Sequence, residues 1–370
     1  MCTYKLIQAH ITAILLTFLI QPATPHHAIE IGNSSVVPTT PMLEARSGHT
    51  ATLLADGRVL IVGGMRRNRD FYRSAEIYDA VSGKFHASGE MSIGRVGHAA
   101  VLLRSGKVLI AGGWVGHGGT DSAEIYDPLS GKFTAISKMP ARQGNPSATL
   151  LANGDVLIAG GADHDSPGGT SAAAIFHAAT QTFEAIAPMH FARISHTATL
   201  LKDGSVLIAG GRGERVNDTA ELFDPTTNQF SLTGDLITAR YKHTAGLLPN
   251  GKVLIAGGSD ARDWHGAMSS AEIYDPKTGK FTATSSLKES RFKLPAEAVQ
   301  LAFGQLLIAG GSKRVEIYNP ETGKFSLVQG EISDVWHFMT ETRLKDGSVL
   351  LAGGYANDDK ATAQTWVCRP

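Results

Sequence analysis

RISHTATLLKDGSVLIAGGRGERVNDTAELFDPTTNQF, residues 193–230, contains one whole structural unit. Its short apolar runs have strand length and β-branched content, and turn residues bound each of them. Strand a runs from His196 to Leu201, b from Val206 to Gly211, c from Ala220 to Asp224, and d begins at Gln229. Asp203-Gly204 predicts a two-residue hairpin between a and b with positive φ at both turn positions. Asp224-Pro225 opens a second hairpin between c and d, because proline pre-sets φ at the first turn position. The unit therefore predicts a four-stranded antiparallel meander.

The unit recurs. Gly-Gly doublets end strand b at Gly63, Gly112, Gly160, Gly210, Gly257, Gly310 and Gly353, in steps of 49, 48, 50, 47, 53 and 43 residues. A period of that size marks a propeller or another array. The doublet suits a place where backbones approach closely. An aromatic in c is followed seven residues later by Phe in d, as in Tyr78/Phe85, Tyr126/Phe133 and Phe223/Phe230, which predicts aromatic packing between blades. In the seventh unit Trp366 is read at the c-strand aromatic position, and the chain stops at Pro370 before any strand d. Val36 lies six residues before Met42 as Phe85 lies six before Met91. The N-terminal segment is thus expected to supply the missing strand and close the ring, which removes exposed sheet edges. The predicted class is all-β: a seven-bladed β-propeller over residues 34–370.

The doublet after an apolar strand, the Arg-x-x-His entry to strand a and the later aromatic pair resemble kelch repeats, of the bacterial, galactose-oxidase-like kind. Phe stands here where the common kelch motif has Trp. The resemblance to galactose oxidase would imply a copper radical oxidase, with a tyrosine cross-linked to a cysteine and further Tyr and His ligands. Cys368 is the one cysteine left once Cys2 is discounted, and it lies at the chain end in the outer half of blade 7. That site is not carried over, and no cofactor or metal is expected.

Lys+Arg and Asp+Glu are both 34, so the chain has no net field favouring nucleic acid or an anionic membrane. Residues 1–25 read as a secretory signal: Lys5, a ten-residue apolar run from Ile11 to Ile20, and a small residue, Ala23, beyond it. The run is too short to span a bilayer. Cys2 would leave with the signal, and a single remaining cysteine cannot form an internal disulfide. A secreted or periplasmic, monomeric propeller is expected.

Strand order puts the a–b and c–d turns on one face and the b–c and d–a loops on the other. Variable loops on a rigid scaffold collect binding residues, so the second face is the candidate surface. Blade 1 offers Arg66, Arg69 and Tyr72; blade 2, Trp114 and His117; blade 3, His164. Blade 4 offers Arg212 and Arg215, blade 5 Arg262, Trp264 and His265, and blade 7 Trp336, which stands at the Arg position of the entry motif. Arginine forks beside aromatic platforms suit sugars, carboxylates or a peptide loop.

His49, His98, His196 and His243 share one repeat position, each three residues after an Arg. A structural tie repeated per blade explains this better than a metal. Pro146, Ala296 and Met339 are read at that position in blades 3, 6 and 7. The inner strands of blades 6 and 7 carry Glu297, Gln300, Glu341 and Arg343 where other blades are apolar or small. Two readings are open: an ion pair of Arg343 with either glutamate, or a carboxylate facing the channel as acid or base, with His164 a further candidate. No Gly-rich phosphate cradle precedes a helix and no Gly-x-Ser-x-Gly elbow is present. Two functions follow as expectations. The first is a binding module holding a glycan or a partner protein on the loop face. The second is a carbohydrate-active enzyme, an epimerase or uronate lyase, at the channel mouth.

Overall fold

The structure is a computed structural model. It describes residues 34–370 apart from 68–69, 117, 165–167 and 357–359, so the signal reading, Arg69 and His117 lie outside the described residues. Seven four-stranded antiparallel sheets stand in a ring. In blade 4 the strands are Thr197–Leu200, Val206–Ala209, Ala220–Asp224 and Gln229–Leu232. In blade 7 they are Thr340–Arg343, Val349–Ala352, Thr365–Arg369 and, from the N-terminal side, Ser35–Thr39. Val36 pairs with Cys368 in the register by which Phe85 pairs with Tyr78, so the expected ring closure is present. No described helix is long and apolar enough to cross a membrane.

The core lies between blades, not within them. Ile61 and Tyr78 of blade 1 pack with Leu350 and Ala352 of blade 7, and Tyr126 of blade 2 packs with Leu60 and Val62 of blade 1. The c–d aromatics are cross-strand partners with ring centroids 4.8 Å apart in Tyr78/Phe85 and Tyr126/Phe133. Each fully buried large side chain adds roughly 1.5–3 kcal/mol. At the Gly210-Gly211 doublet both glycines have positive φ, and a Cβ on Gly210 would sit 2.6 Å from the Arg240 carbonyl oxygen of the next blade. A side chain there would force the blades apart.

The a–b hairpin differs from the expected turn. Gly204 has positive φ (90°) while Asp203 does not, and Gly204 N–H donates to Leu201 O. This fits a type I turn closed by a left-handed glycine, which spares the aspartate a left-handed backbone. Its carboxylate accepts instead from Ser205 N–H at 3.0 Å.

A buried ion pair braces five blades. Arg46, Arg95, Arg193, Arg240 and Arg291 are fully buried and pair with Glu76, Glu124, Glu221, Glu272 and Glu316 of strand c. Each guanidinium also donates to backbone carbonyls, as Arg193 Nη1 does to Gly210 O at 2.6 Å. Blades 3 and 7 exchange both partners together. Gln143 takes the arginine position and donates to Gly160 O at 2.7 Å, while Ala174 takes the glutamate position. Trp336 stacks against Trp366, centroids 6.4 Å apart. The register corrects the sequence reading here: Trp366 takes the glutamate position, and Cys368 takes the aromatic one.

Candidate functional site at the channel mouth

The loop face narrows to a ring of seven equivalent residues, each preceding the His position of its blade. They are Gly48, Gly97 and Asn145, then Ser195, Lys242, Lys293 and Phe338, all left-handed with φ between 52° and 59°. Backbone bonds link neighbours around the mouth: Gly97 N–H to Gly48 O, Asn145 to Gly97, Lys242 to Ser195, Phe338 to Lys293 and Gly48 to Phe338. The left-handed region costs a non-glycine residue roughly 1–2 kcal/mol. Blades 5, 6 and 7 nevertheless place long side chains there, and such strain clusters at sites that use it.

The histidines behind this ring are ties between blades. His49 Nε2 lies 3.0 Å from Thr340 Oγ1, His98 Nε2 2.9 Å from Thr50, His196 2.9 Å from Ser147 and His243 3.1 Å from Thr197. Burial, and then the neighbouring Arg, lowers His49 and His196 to about 3. These imidazoles are neutral and engaged.

Above blades 5–7 the loops gather an aromatic and cationic cluster. A 3₁₀ turn, Asp263–His265, carries Trp264, which remains 42% exposed. Lys293 Nζ lies 3.2 Å from the Trp264 ring centroid and donates to the Tyr355 hydroxyl at 2.7 Å. Phe292 and His337 meet the indole edge-on, with centroids at 5.4 and 4.9 Å. Lys242 Nζ pairs with Asp263 at 2.8 Å and lies over the Tyr241 ring, which Arg212 also faces. Burial, with Asp263 beside it, pushes the Tyr241 hydroxyl up to about 12.

The channel beneath holds a cavity of about 690 Å³. Its walls include Met65, Trp114, Glu297, Glu341, Gln300 and Arg343. A local change in blade 6 creates it. Ten residues separate Arg291 from Leu301, where eight separate Arg193 from Leu201. Leu294, not Ala296, therefore takes the His position, meeting the Gly257 site as His243 meets Gly210. The extra residues bulge toward blade 5, where Ala298 N–H donates to Ala245 O, and the innermost strand shrinks to Val299–Gln300. Ala309 consequently lacks the strand partner that Val62 has in blade 1, and its N–H donates to Glu341 Oε1 at 2.7 Å. Glu341 Oε2 is buried with no partner. Burial raises Glu341 to about 8 and pushes Glu297 upward too. Neither glutamate pairs with Arg343; the expected ion pair is absent among the described residues because Arg343 stays exposed and Glu341 turns to blade 6.

The sequence candidates thus separate. Trp264 joins the aromatic cluster and Arg212 flanks it. Arg262 forms an exposed pair with Asp260, and Arg215 and His265 are exposed on their loops. Tyr72 lies under Arg46, with Arg66 on the same blade 1 loop. Trp114 lines the cavity, and its Nε1 lies 3.2 Å from the side-chain amide of Asn145, whose oxygen accepts from it once the amide is turned. His164 is exposed on a blade 3 loop away from the cavity wall, and Trp336 packs on Trp366. Lys242, Phe292, Lys293, His337 and Tyr241 were missed. They fill the two places between the Arg and His of the entry motif, which read as spacers. The replacement of Gly48 and Gly97 by lysine in blades 5 and 6 was the available signal.

Two segments, residues 95–140 and 240–288, match the family model described as Kelch motif. No curated protein matches the chain significantly. Among solved structures, a fungal alcohol oxidase of the AA5 family in complex with copper is 17% identical, with a TM-score of 0.72 over 92% of this chain and 77% of that chain. At that identity the likeness concerns the fold alone. Cys368 does not fit a copper radical site: it is buried at the aromatic position of blade 7, with its thiol pushed up to about 12 by burial. Among the described residues no three His, Cys, Asp or Glu side chains are grouped to hold a metal. The doublets, the repeated Arg-x-x-His ties, the family matches and the seven four-stranded blades agree: the chain is a kelch-repeat β-propeller.

Proposed function

We propose that this propeller is an exported binding module that holds a glycan on its loop face above blades 5–7. The kelch propeller fold supports a binding or interaction role. The observation that carries the glycan reading is Trp264, an exposed indole braced by Lys293, Phe292 and His337 from two further blades. A braced aromatic offers a sugar ring an apolar face at little entropic cost. Arg212 and Lys242, which flank the cluster at Tyr241, favour sugars bearing carboxylates.

A glycan array probed with the protein and with Trp264→Ala tests this. Saturable binding by the wild type, weakened about ten- to a hundredfold in the variant, is expected if the indole contributes roughly 1.5–3 kcal/mol of burial. The variant should unfold at the same temperature as wild type. No binding above background removes the glycan and leaves a protein partner as the ligand.

One observation favours a second reading, chemistry on a sugar within the channel: Glu297, Glu341 and Arg343 share one cavity. A carboxyl still protonated at neutral pH is equipped as a general acid. Turnover of a bound sugar that Glu341→Gln abolishes without loss of binding supports it; an unaltered sugar after long incubation removes it.

A further inference from the structure

The channel cavity holds a buried carboxyl, Glu341, that has no cationic partner among the described residues. Glu297, Glu341 and the Arg343 guanidinium all line it, and neither glutamate forms an ion pair among the described residues. Arg291 is held by Glu316 at 2.7 Å, Arg343 forms no ion pair among the described residues, and His49 is neutral and tied to Thr340. Cys368, the remaining titratable group facing Glu341, is a protonated thiol. Two polar oxygens in the wall lack partners among the described residues, Glu341 Oε2 and the 6%-exposed Thr342 Oγ1. Buried polar groups without partners are rare and call for a ligand, an ion or water. The rest of the wall includes the apolar side chains of Met65, Trp114, Leu294, Phe338 and Met339.

We propose that this cavity binds a small protonated amine with an apolar body, its ammonium held at the open Oε2 of Glu341. An ammonium supplies three donors and a positive charge against which Glu341 can ionise, and the Trp114 indole elsewhere in the wall offers its body an apolar surface. A metal is a poorer match, because no third His, Cys, Asp or Glu joins the two glutamates among the described residues. This site is separate from the loop-face cluster and does not depend on the glycan reading.

The test is titration calorimetry of the full-length protein with benzylamine and its uncharged counterpart benzyl alcohol, near pH 8. Benzylamine should saturate, with the alcohol at least about tenfold weaker, the equivalent of ~1.4 kcal/mol. Glu341→Gln keeps an acceptor for Ala309 N–H, so it should fold normally, lose at least about tenfold in amine affinity and leave the alcohol unchanged. At pH 7 wild-type binding should release a proton as Glu341 ionises, seen as a dependence of the heat on the buffer used. Equal affinities for amine and alcohol, no saturation by about 10 mM, or undiminished amine binding by the Gln variant would overturn the proposal.

Discussion

Blade 4 and blade 6 begin with the same arginine tie and diverge within three residues. In blade 4, Arg193 is followed by His196, which reaches back to Ser147 of blade 3, and the innermost strand runs for four paired residues. In blade 6, Arg291 is followed by Leu294, and the innermost strand keeps two. The tie to the outer strands survives in both, through Glu221 and Glu316. Regular blades use their polar groups to hold neighbours; the irregular blade leaves its Ala309 N–H to a carboxyl of blade 7, Glu341, inside the channel. The site arises where the repeat fails.

The sharpest way to break the comparison is to damage a regular blade. Arg193→Ala strands Glu221 in the interior and should lower unfolding stability by about 3–5 kcal/mol, read as a large drop in the denaturation midpoint. Arg193→Gln combined with Glu221→Ala copies the exchange found at Gln143 and Ala174, and should recover most of that loss. If the double variant is as unstable as the single one, blade 3 owes its stability to something other than the paired exchange.

The irregular pair should respond to alkali instead. Folding raises Glu341 from 4.5 to about 8, so the folded state holds its proton more tightly. Its contribution is fully present below pH 4.5 and is lost as pH rises through about 8. At about 1.4 kcal/mol per unit, the loss amounts to a few kcal/mol. Glu341→Gln should be more stable than wild type above pH 8 and should lose this pH dependence, as measured by thermal midpoints across the range.

The smallest effect concerns the histidine ties, which act with the opposite sign. Folding lowers His196 from 6.5 to about 3, so the neutral form is favoured in the folded state. That contribution is present above pH 6.5 and is lost as pH falls toward 3. His196→Met, the residue blade 7 uses, should cost about 1 kcal/mol at neutral pH for the lost hydrogen bond. It should also flatten the decline in stability on the acid side.

The fold was legible because propellers repeat their constraints. A doublet such as Gly210-Gly211 can be nothing bulkier when the next blade's carbonyl approaches so closely, and seven copies of one constraint are unmistakable. The frame of Val36 against Met42 sufficed to find the closing strand. Register inside the irregular blades was less legible. From sequence Trp366 reads two residues out of register, because aromatics in the other blades mark the Phe-pairing position, whereas here a tryptophan pair replaces an ion pair. The two-residue insertion of blade 6 was signalled by Pro295, since a proline inside a strand pattern marks a bulge or an edge, but its register was set by packing against blade 5.

Composition and period, acting through short-range rules of turn chemistry, β-branching and close backbone approach, settle the number of blades, their strand order and the face that bears variable loops. They name Trp264 and Glu341 as departures from the repeat. Long-range packing alone brings Lys293 under Trp264, sets Glu341 against Ala309 and leaves Arg343 unpaired. Those relations join residues of different blades, up to 62 positions apart in the case of Lys293 and Tyr355. No local pattern encodes them; closure of the ring creates them.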